Sequence, residues 1–216
     1  MVDQGKLKML VAITLLEFFC GSLMFSYWLG KLVKKDITAV GDGNPGAFNL
    51  IQAAGVKIGL LGVFLDFAKG YFPLVYFVEQ GYLPKSYIIP AAIAPILGHA
   101  FSPFLRFKGG KSIATTFGVW SATTRFRVSL FYAVVLALLF LIAKKLKHGS
   151  RTTTQEDAFM VVLGFTIVGA YLYLNNFSVY LLALWFLNLI IMIYKNKEKL
   201  ATFYISLTDK QHEIKK

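Results

Sequence analysis

The stretch GHAFSPFLRFKGGKSIATT, residues 98–116, sets four ionisable side chains beside two adjacent glycines. His99 can hold or relay a proton, Lys108 and Lys111 flank Gly109 and Gly110, and Ser112 and Thr115 add hydroxyls. Glycines let backbone N–H groups approach a ligand unobstructed, and lysines supply point charges. That combination suits phosphate oxygens. A second stretch, AVGDGNPGAFNLIQAAG at 39–55, joins Gly43 and Gly46 to Asn44 and Asn49, whose amides are neutral donors, with Pro45 stiffening the turn. A helix is expected directly after each loop, and helix N-termini attract anions through unpaired N–H groups and a partial positive charge.

A third feature, FLDFAKG, sets Asp66 and Lys69 three apart, hence on one helix face. Charges inside an apolar segment are costly, so the pair is read either as part of a site or as a neutralised tie between helices. Glu17 draws the same question with less around it. Taken singly, Lys108 and Lys111 would be topology anchors and His99 an interfacial residue bonding a carbonyl. The glycines between the lysines and the second polar loop favour anion binding.

These side chains need a scaffold, and composition indicates which. Apolar residues make up 56% of the 216 and mean hydropathy is +0.60, above the roughly 45–50% apolar of soluble domains. The apolar runs are continuous rather than alternating, and lipid permits only helices or closed barrels, so helices are expected. Spans are expected near 7–33, 56–78, 86–100, 112–124, 128–143, 158–174 and 177–194. The third and fourth are short and should tilt, re-enter or lean on neighbours. The first run shows no cleavage pattern and is read as the first helix. The fold class is therefore an all-α integral membrane protein, a bundle of about seven transmembrane helices carrying two glycine-rich cytoplasmic loops. Residues 1–195 are read as the membrane domain and 196–216 as a basic cytoplasmic tail.

Basic residues set the orientation: sixteen fall on the face of the two loops and the tail, five on the other. This places the N-terminus outside and the C-terminus in the cytoplasm, in the cell's inner (cytoplasmic) membrane. The net charge of +12 is accounted for by topology and by anionic lipid headgroups, so no nucleic-acid partner is expected and membrane lipids are. The oligomeric state is left open. A single cysteine, Cys20, excludes an internal disulfide and a cysteine metal site. The three histidines, at 99, 148 and 212, lack zinc-ligand spacing, and the adjacent Glu156 and Asp157 make no metal pattern. No metal or cofactor is expected. The chain has no GxSxG elbow and no GxxxxGK[ST] loop, and GDGNPG lacks the strand a dinucleotide site requires.

Four motifs in order carry a resemblance: GSLMFSYWLGK at 21–31, GDGNPGAFN at 41–49, DxxKG at 66–70 and GHxFxxFxxFKGGKxxAT at 98–115. Together they resemble the PlsY family of bacterial acyl-phosphate:glycerol-3-phosphate acyltransferases. The resemblance implies transfer of a fatty acyl group from acyl phosphate to the 1-hydroxyl of glycerol 3-phosphate, yielding lysophosphatidate and phosphate. It implies one substrate loop containing Asn44, Gly46 and Asn49, and Gly43 in the same glycine-rich turn is read as part of it. It implies another containing His99, Lys108, Gly109, Gly110, Lys111 and Thr115; the Ser112 hydroxyl is read as part of the same loop, and His99, Lys108 and Lys111 are expected to be catalytic. Asp66 and Lys69 would line or brace the site between them. The expected mechanism is direct attack by the hydroxyl with no acyl-enzyme intermediate, the proton passing to substrate phosphate.

Three departures are expected to matter. Asp42 stands where the family usually has serine, Gln52 where it has arginine, and the segment 194–200 reads as lacking the family's His and Asn. They motivate one alternative, a catalytically altered homologue that binds phosphorylated lipid or a partner. The Asp66–Lys69 pair motivates another, a transporter of a small phosphorylated compound.

Overall fold

Helix α1 (Gln4–Ser22) and α2 (Phe25–Leu32) are one apolar stretch interrupted at Leu23–Met24, where Met24 leaves helical geometry at φ −96°, ψ 67°. A short turn of helix at Ile37–Ala39 and α3 (Ala47–Ala54) build the first loop region. Then follow α4 (Val56–Glu79), α5 (Ile88–Ala100), α6 (Ile113–Thr124), α7 (Arg127–Leu146), α8 (Thr154–Leu174) and α9 (Val179–Ile214). The computed structural model describes residues 4–84 and 87–214, with side chains to 209. Lys85, Ser86, Lys215 and Lys216, and the side chain of Lys210, all used in the topology reading, lie outside the described residues.

Among the described residues every regular element is helical, and six helices are long and apolar enough to cross a membrane. The α1–α2 pair counts as one crossing, and α5 counts with the turn of helix after it, through Leu105. The expected span at 112–124 is α6, only 12 residues, about 18 Å of helix against a hydrocarbon layer of about 30 Å. Its residues from Gly118 to Ala122 are all buried, so it leans on its neighbours rather than on lipid. Large apolar side chains point outward elsewhere: Leu15 on α1, Phe64 on α4, Leu138 and Leu141 on α7. Such outward apolar faces suit lipid, and the chain is a multi-pass integral membrane protein.

Without a hydrophobic drive between helices in lipid, close backbone approach and polar ties hold the bundle. Helices α1 and α5 meet backbone to backbone: a Cβ on Gly21 would overlap Pro95, and one on Gly98 would overlap Phe18. Interhelical hydrogen bonds add ties on the α6–α9 side. Asn188 accepts from Trp120 at 3.1 Å and donates to Thr116 at 3.2 Å, and Tyr132 donates to the Val161 carbonyl at 2.9 Å. Helix α8 starts on a capping box, with Thr153 and Glu156 satisfying each other's backbone N–H groups. Helix α9 passes residue 195 without a break.

Candidate functional site

The break between α1 and α2 frees the Leu23 carbonyl, and Lys69 of α4 donates to it. Lys69 Nζ also donates to Asp66 Oδ1 at 2.7 Å and lies 2.8 Å from His99 Nδ1 on α5. An ammonium has three N–H bonds, and here are three acceptors. Nδ1 of His99 is therefore an acceptor, which puts the ring proton on Nε2. The second Asp66 oxygen accepts from Ser26 of α2 at 2.6 Å, and Thr115 of α6 donates to the Asp66 carbonyl at 3.1 Å. One buried acid and one buried lysine thus tie α2, α4, α5 and α6 together, and they point His99.

The KGGK loop closes over that histidine. Gly110 N–H donates to the His99 carbonyl at 3.0 Å. A Cβ on Gly110 would run into Nε2 of the ring, so only glycine lets the loop pass. From α9, Lys195 Nζ donates to the Gly109 carbonyl at 2.9 Å and to the Ala100 carbonyl at 3.0 Å. Arg106, Phe107 and Ser112 have left-handed backbones, with φ of 51°, 62° and 60°. Non-glycine residues adopt that conformation only when the surroundings fix it, and it collects at functional sites. Ser112 donates to the Ile96 carbonyl at 3.0 Å, which anchors the start of α6.

The GDGNPG loop faces this one across a salt bridge, Asp42 Oδ2 to Lys111 Nζ at 2.8 Å. The other Asp42 oxygen accepts from the Asn44 backbone N–H and from Asn49 Nδ2, both at 3.2 Å. Burial alone would push the Asp42 carboxyl up; the Lys111 hydrogen bond and charge, with the two asparagine donors, outweigh it and hold the carboxyl below its usual range.

Behind the bridge lies a cavity of about 830 Å³. Asp42, Asn44, Gly46, Asp66, His99, Lys111 and Ser112 form its polar end, and Val63, Ile113, Phe117, Phe140 and Val161 form an apolar wall. Lys144, Arg151, Asp157 and Asn196 complete the lining. A shallower space of about 360 Å³ adjoins it, lined by Gly43, Asn44, Lys108, Gly109, Lys111, Lys195, Lys197 and Lys199. Asp42, Asn44 and Lys111 border both.

The candidate residues thus sort by position. Gly43, Asn44, Gly46, Asp66, His99, Lys108, Gly109, Lys111 and Ser112 line one or both spaces. Asn49, Lys69, Gly110 and Thr115 line neither; Asn49 spends its amide on Val40 and Asp42, and the others brace the site from behind. The reading of 194–200 as without an asparagine needs correction: Asn196 stands there, 1% exposed, and lines both spaces. Sequence reasoning also missed Lys195 and Asp157. In the sequence Lys195 is one of several lysines in a basic segment and Asp157 is half of an acidic pair, so neither stands out.

The family profile described as glycerol-3-phosphate acyltransferase matches residues 11–204. Glycerol-3-phosphate acyltransferase 1 of Thermotoga maritima is 40% identical over 192 residues, covering 87% of this chain and 94% of that protein. The crystal structure of PlsY (YgiH), an integral membrane glycerol 3-phosphate acyltransferase, in its glycerol 3-phosphate form superposes with a TM-score of 0.79 at 28% identity, covering 91% of this chain and 92% of that one. The lysophosphatidic acid form of the same protein gives 0.77 at 26% identity, with the same coverage.

Proposed function

The chain belongs to the glycerol-3-phosphate acyltransferase family, and from that premise we propose that its large cavity joins acyl phosphate to glycerol 3-phosphate at Lys111. The protein acylates glycerol 3-phosphate in phospholipid synthesis. The donor, the acyl position and the residues that act are our reading. One observation carries it. A single cavity has Lys111, Asn44 and His99 at one end and Phe117, Phe140 and Val161 along a wall, which suits a phosphate head and an apolar chain together.

In this reading the 1-hydroxyl of glycerol 3-phosphate attacks the acyl carbonyl carbon. A carbon–oxygen bond to the glycerol forms, the bond to the phosphate oxygen breaks, and phosphate leaves as an already stable anion. Lys111, with Lys108 at the rim, offsets charge on the departing phosphate. His99 acts as a donor through Nε2–H, because Nδ1 is engaged by Lys69. The hydroxyl proton passes to phosphate, and no acyl-enzyme forms. Both loops face the cytoplasm of the cell's inner membrane, with the N-terminus outside, following the basic-residue asymmetry.

The deciding experiment mixes purified protein with labelled acyl phosphate and glycerol 3-phosphate. Labelled lysophosphatidate should form, at a rate at least a hundredfold lower in Lys111→Ala, the scale of one lost charge-stabilising group. Product no higher than in that variant, or label trapped on the protein, overturns the reading. The Asp42–Lys111 bridge favours a second reading, a homologue whose acyl transfer is suppressed by its own carboxylate. A rate that rises with Asp42→Ser and Gln52→Arg together would establish it. The transporter alternative loses its motive, since Asp66 and Lys69 are engaged by Ser26, Leu23 and His99.

A further inference from the structure

One carboxylate on the large cavity has no role in the reaction as derived above. Asp157 lies in the first turn of α8, four residues past the Thr153 cap, and its N–H donates to the Thr153 carbonyl at 2.9 Å. The neighbouring Glu156 is turned away by its bonds to Lys147 at 2.8 Å and to Thr153 N–H at 2.6 Å. Asp157 is left lining the cavity. Its Oδ1 is buried and accepts no hydrogen bond, and among the described residues Asp157 makes no ion pair. Lys144 and Arg151 line the same cavity without reaching it.

A buried polar atom without a partner is costly, and a native structure that keeps one usually keeps it for something. An ionised carboxylate only accepts, so a ligand group that meets Asp157 from the cavity must donate. Phosphate oxygens near neutral pH and an acyl chain offer little to it, and a second anion would be repelled. A glycerol backbone carries hydroxyls. The N-terminal end of α8 stabilises the charge without a neighbouring cation, so the acceptor stays available for a neutral donor. The cavity has one other orphan acceptor, Oδ1 of the fully buried Asn196, whose Nδ2 is spent on the Met192 carbonyl at 2.8 Å.

We propose that Asp157 accepts a hydrogen bond from a hydroxyl of the acyl-accepting substrate, and so selects a hydroxylated phosphate over a bare one. The proposal rests on the cavity being the glycerol 3-phosphate site. Asp157 addresses only that substrate, because acyl phosphate has no hydroxyl on carbon to offer. Lys111 holds the charge, and Asp157 reads the polyol.

Binding to the purified full chain tests this without relying on turnover. Calorimetry would compare glycerol 3-phosphate with ethyl phosphate, which carries the same anion and no hydroxyl. The wild type should prefer glycerol 3-phosphate. Asp157→Ala should weaken glycerol 3-phosphate by about tenfold, the scale of one hydrogen bond to a charged group, and leave ethyl phosphate equal or tighter. Asp157→Asn keeps an Oδ1 acceptor of the same shape and should lose less. In turnover, the KM for glycerol 3-phosphate should rise while that for acyl phosphate stays within twofold. Equal weakening of both ligands, an unchanged glycerol 3-phosphate affinity, or no wild-type preference overturns the proposal. A wild type that binds with this preference yet forms no product from acyl phosphate would overturn the donor assignment and leave Asp157 standing.

Discussion

The Asp42 carboxylate sits 2.8 Å from the Lys111 ammonium and also takes the Asn44 N–H and the Asn49 amide. A cation, a backbone N–H and an amide N–H converging on one pair of oxygens is what a phosphate would ask of this loop. Here the chain's own carboxylate occupies those donors. A substrate phosphate that uses Lys111 has to share or displace it, and two anions on one lysine repel. The bridge therefore strengthens the empty site and weakens the filled one.

Replacing that acid should separate the two effects. Asp42→Ser should lower the KM for the phosphate substrate that meets Lys111 by about tenfold, since a competing charge on a paired lysine is removed. The same variant should unfold more easily, by about 1 kcal/mol. Steady-state kinetics and thermal unfolding in one detergent would show both. A KM that rises would mean that Asp42 positions the loop more than it blocks the lysine.

The bridge also predicts an acid dependence. Lys111 and the asparagine donors hold the Asp42 carboxyl below its ordinary value despite burial. A depressed carboxyl contributes stability that is present above the unfolded value, about 3.9, and is lost as pH falls through the lower folded value. The melting-temperature gap between wild type and Asp42→Asn should hold steady from pH 8 to about 5 and close only below about 4. A gap that closes near neutrality would point to a different titrating group.

Lys69 should matter for stability before it matters for chemistry. Lys69→Met keeps the bulk, leaves Asp66 buried with only the Ser26 hydroxyl on its carboxylate, and strips a donor from the Leu23 carbonyl and from His99 Nδ1. Breaking a buried pair from one side typically costs about 3–5 kcal/mol, while replacing both partners costs much less. The double variant Lys69→Met with Asp66→Asn should accordingly unfold at a higher temperature than Lys69→Met alone. A double variant no more stable than the single one would show that the lysine acts chiefly through Leu23 and His99.

What could be read from the chain follows period and local spacing. Continuous apolar runs give the helices, and the i, i+3 spacing of Asp66 and Lys69 puts them on one face, where they bond at 2.7 Å. Glycine pairs and lysines mark both loops, and the structure lays the loops against each other through Asp42 and Lys111. Long-range partners were not legible. Nothing local ties Lys195 to a carbonyl 86 residues earlier, or turns Asp157 and not Glu156 into the cavity. The α6 segment reads as a short span because it is apolar, and at 12 residues it is covered largely by protein rather than by lipid. Hydropathy does not distinguish lipid from neighbouring helices, as both are apolar.

Lys195 gives the last prediction. It reaches from α9 to the Ala100 and Gly109 carbonyls and lies 5.4 Å over the Phe101 ring, so it pins the KGGK loop to the end of α5. Lys195→Met preserves the stem and removes the donors. Two carbonyls lose a partner, at about 1–3 kcal/mol for each one left buried and unsatisfied. Because those carbonyls frame the loop that carries Lys108 and Lys111, the effect should show first as mobility there. Amide exchange at 108–112 should speed up by at least tenfold, and kcat/KM should fall by about as much, with Lys195→Arg recovering part of both. Exchange at 108–112 that stays at the wild-type rate while activity falls would mean Lys195 touches substrate directly, from the space it borders with Lys197 and Lys199.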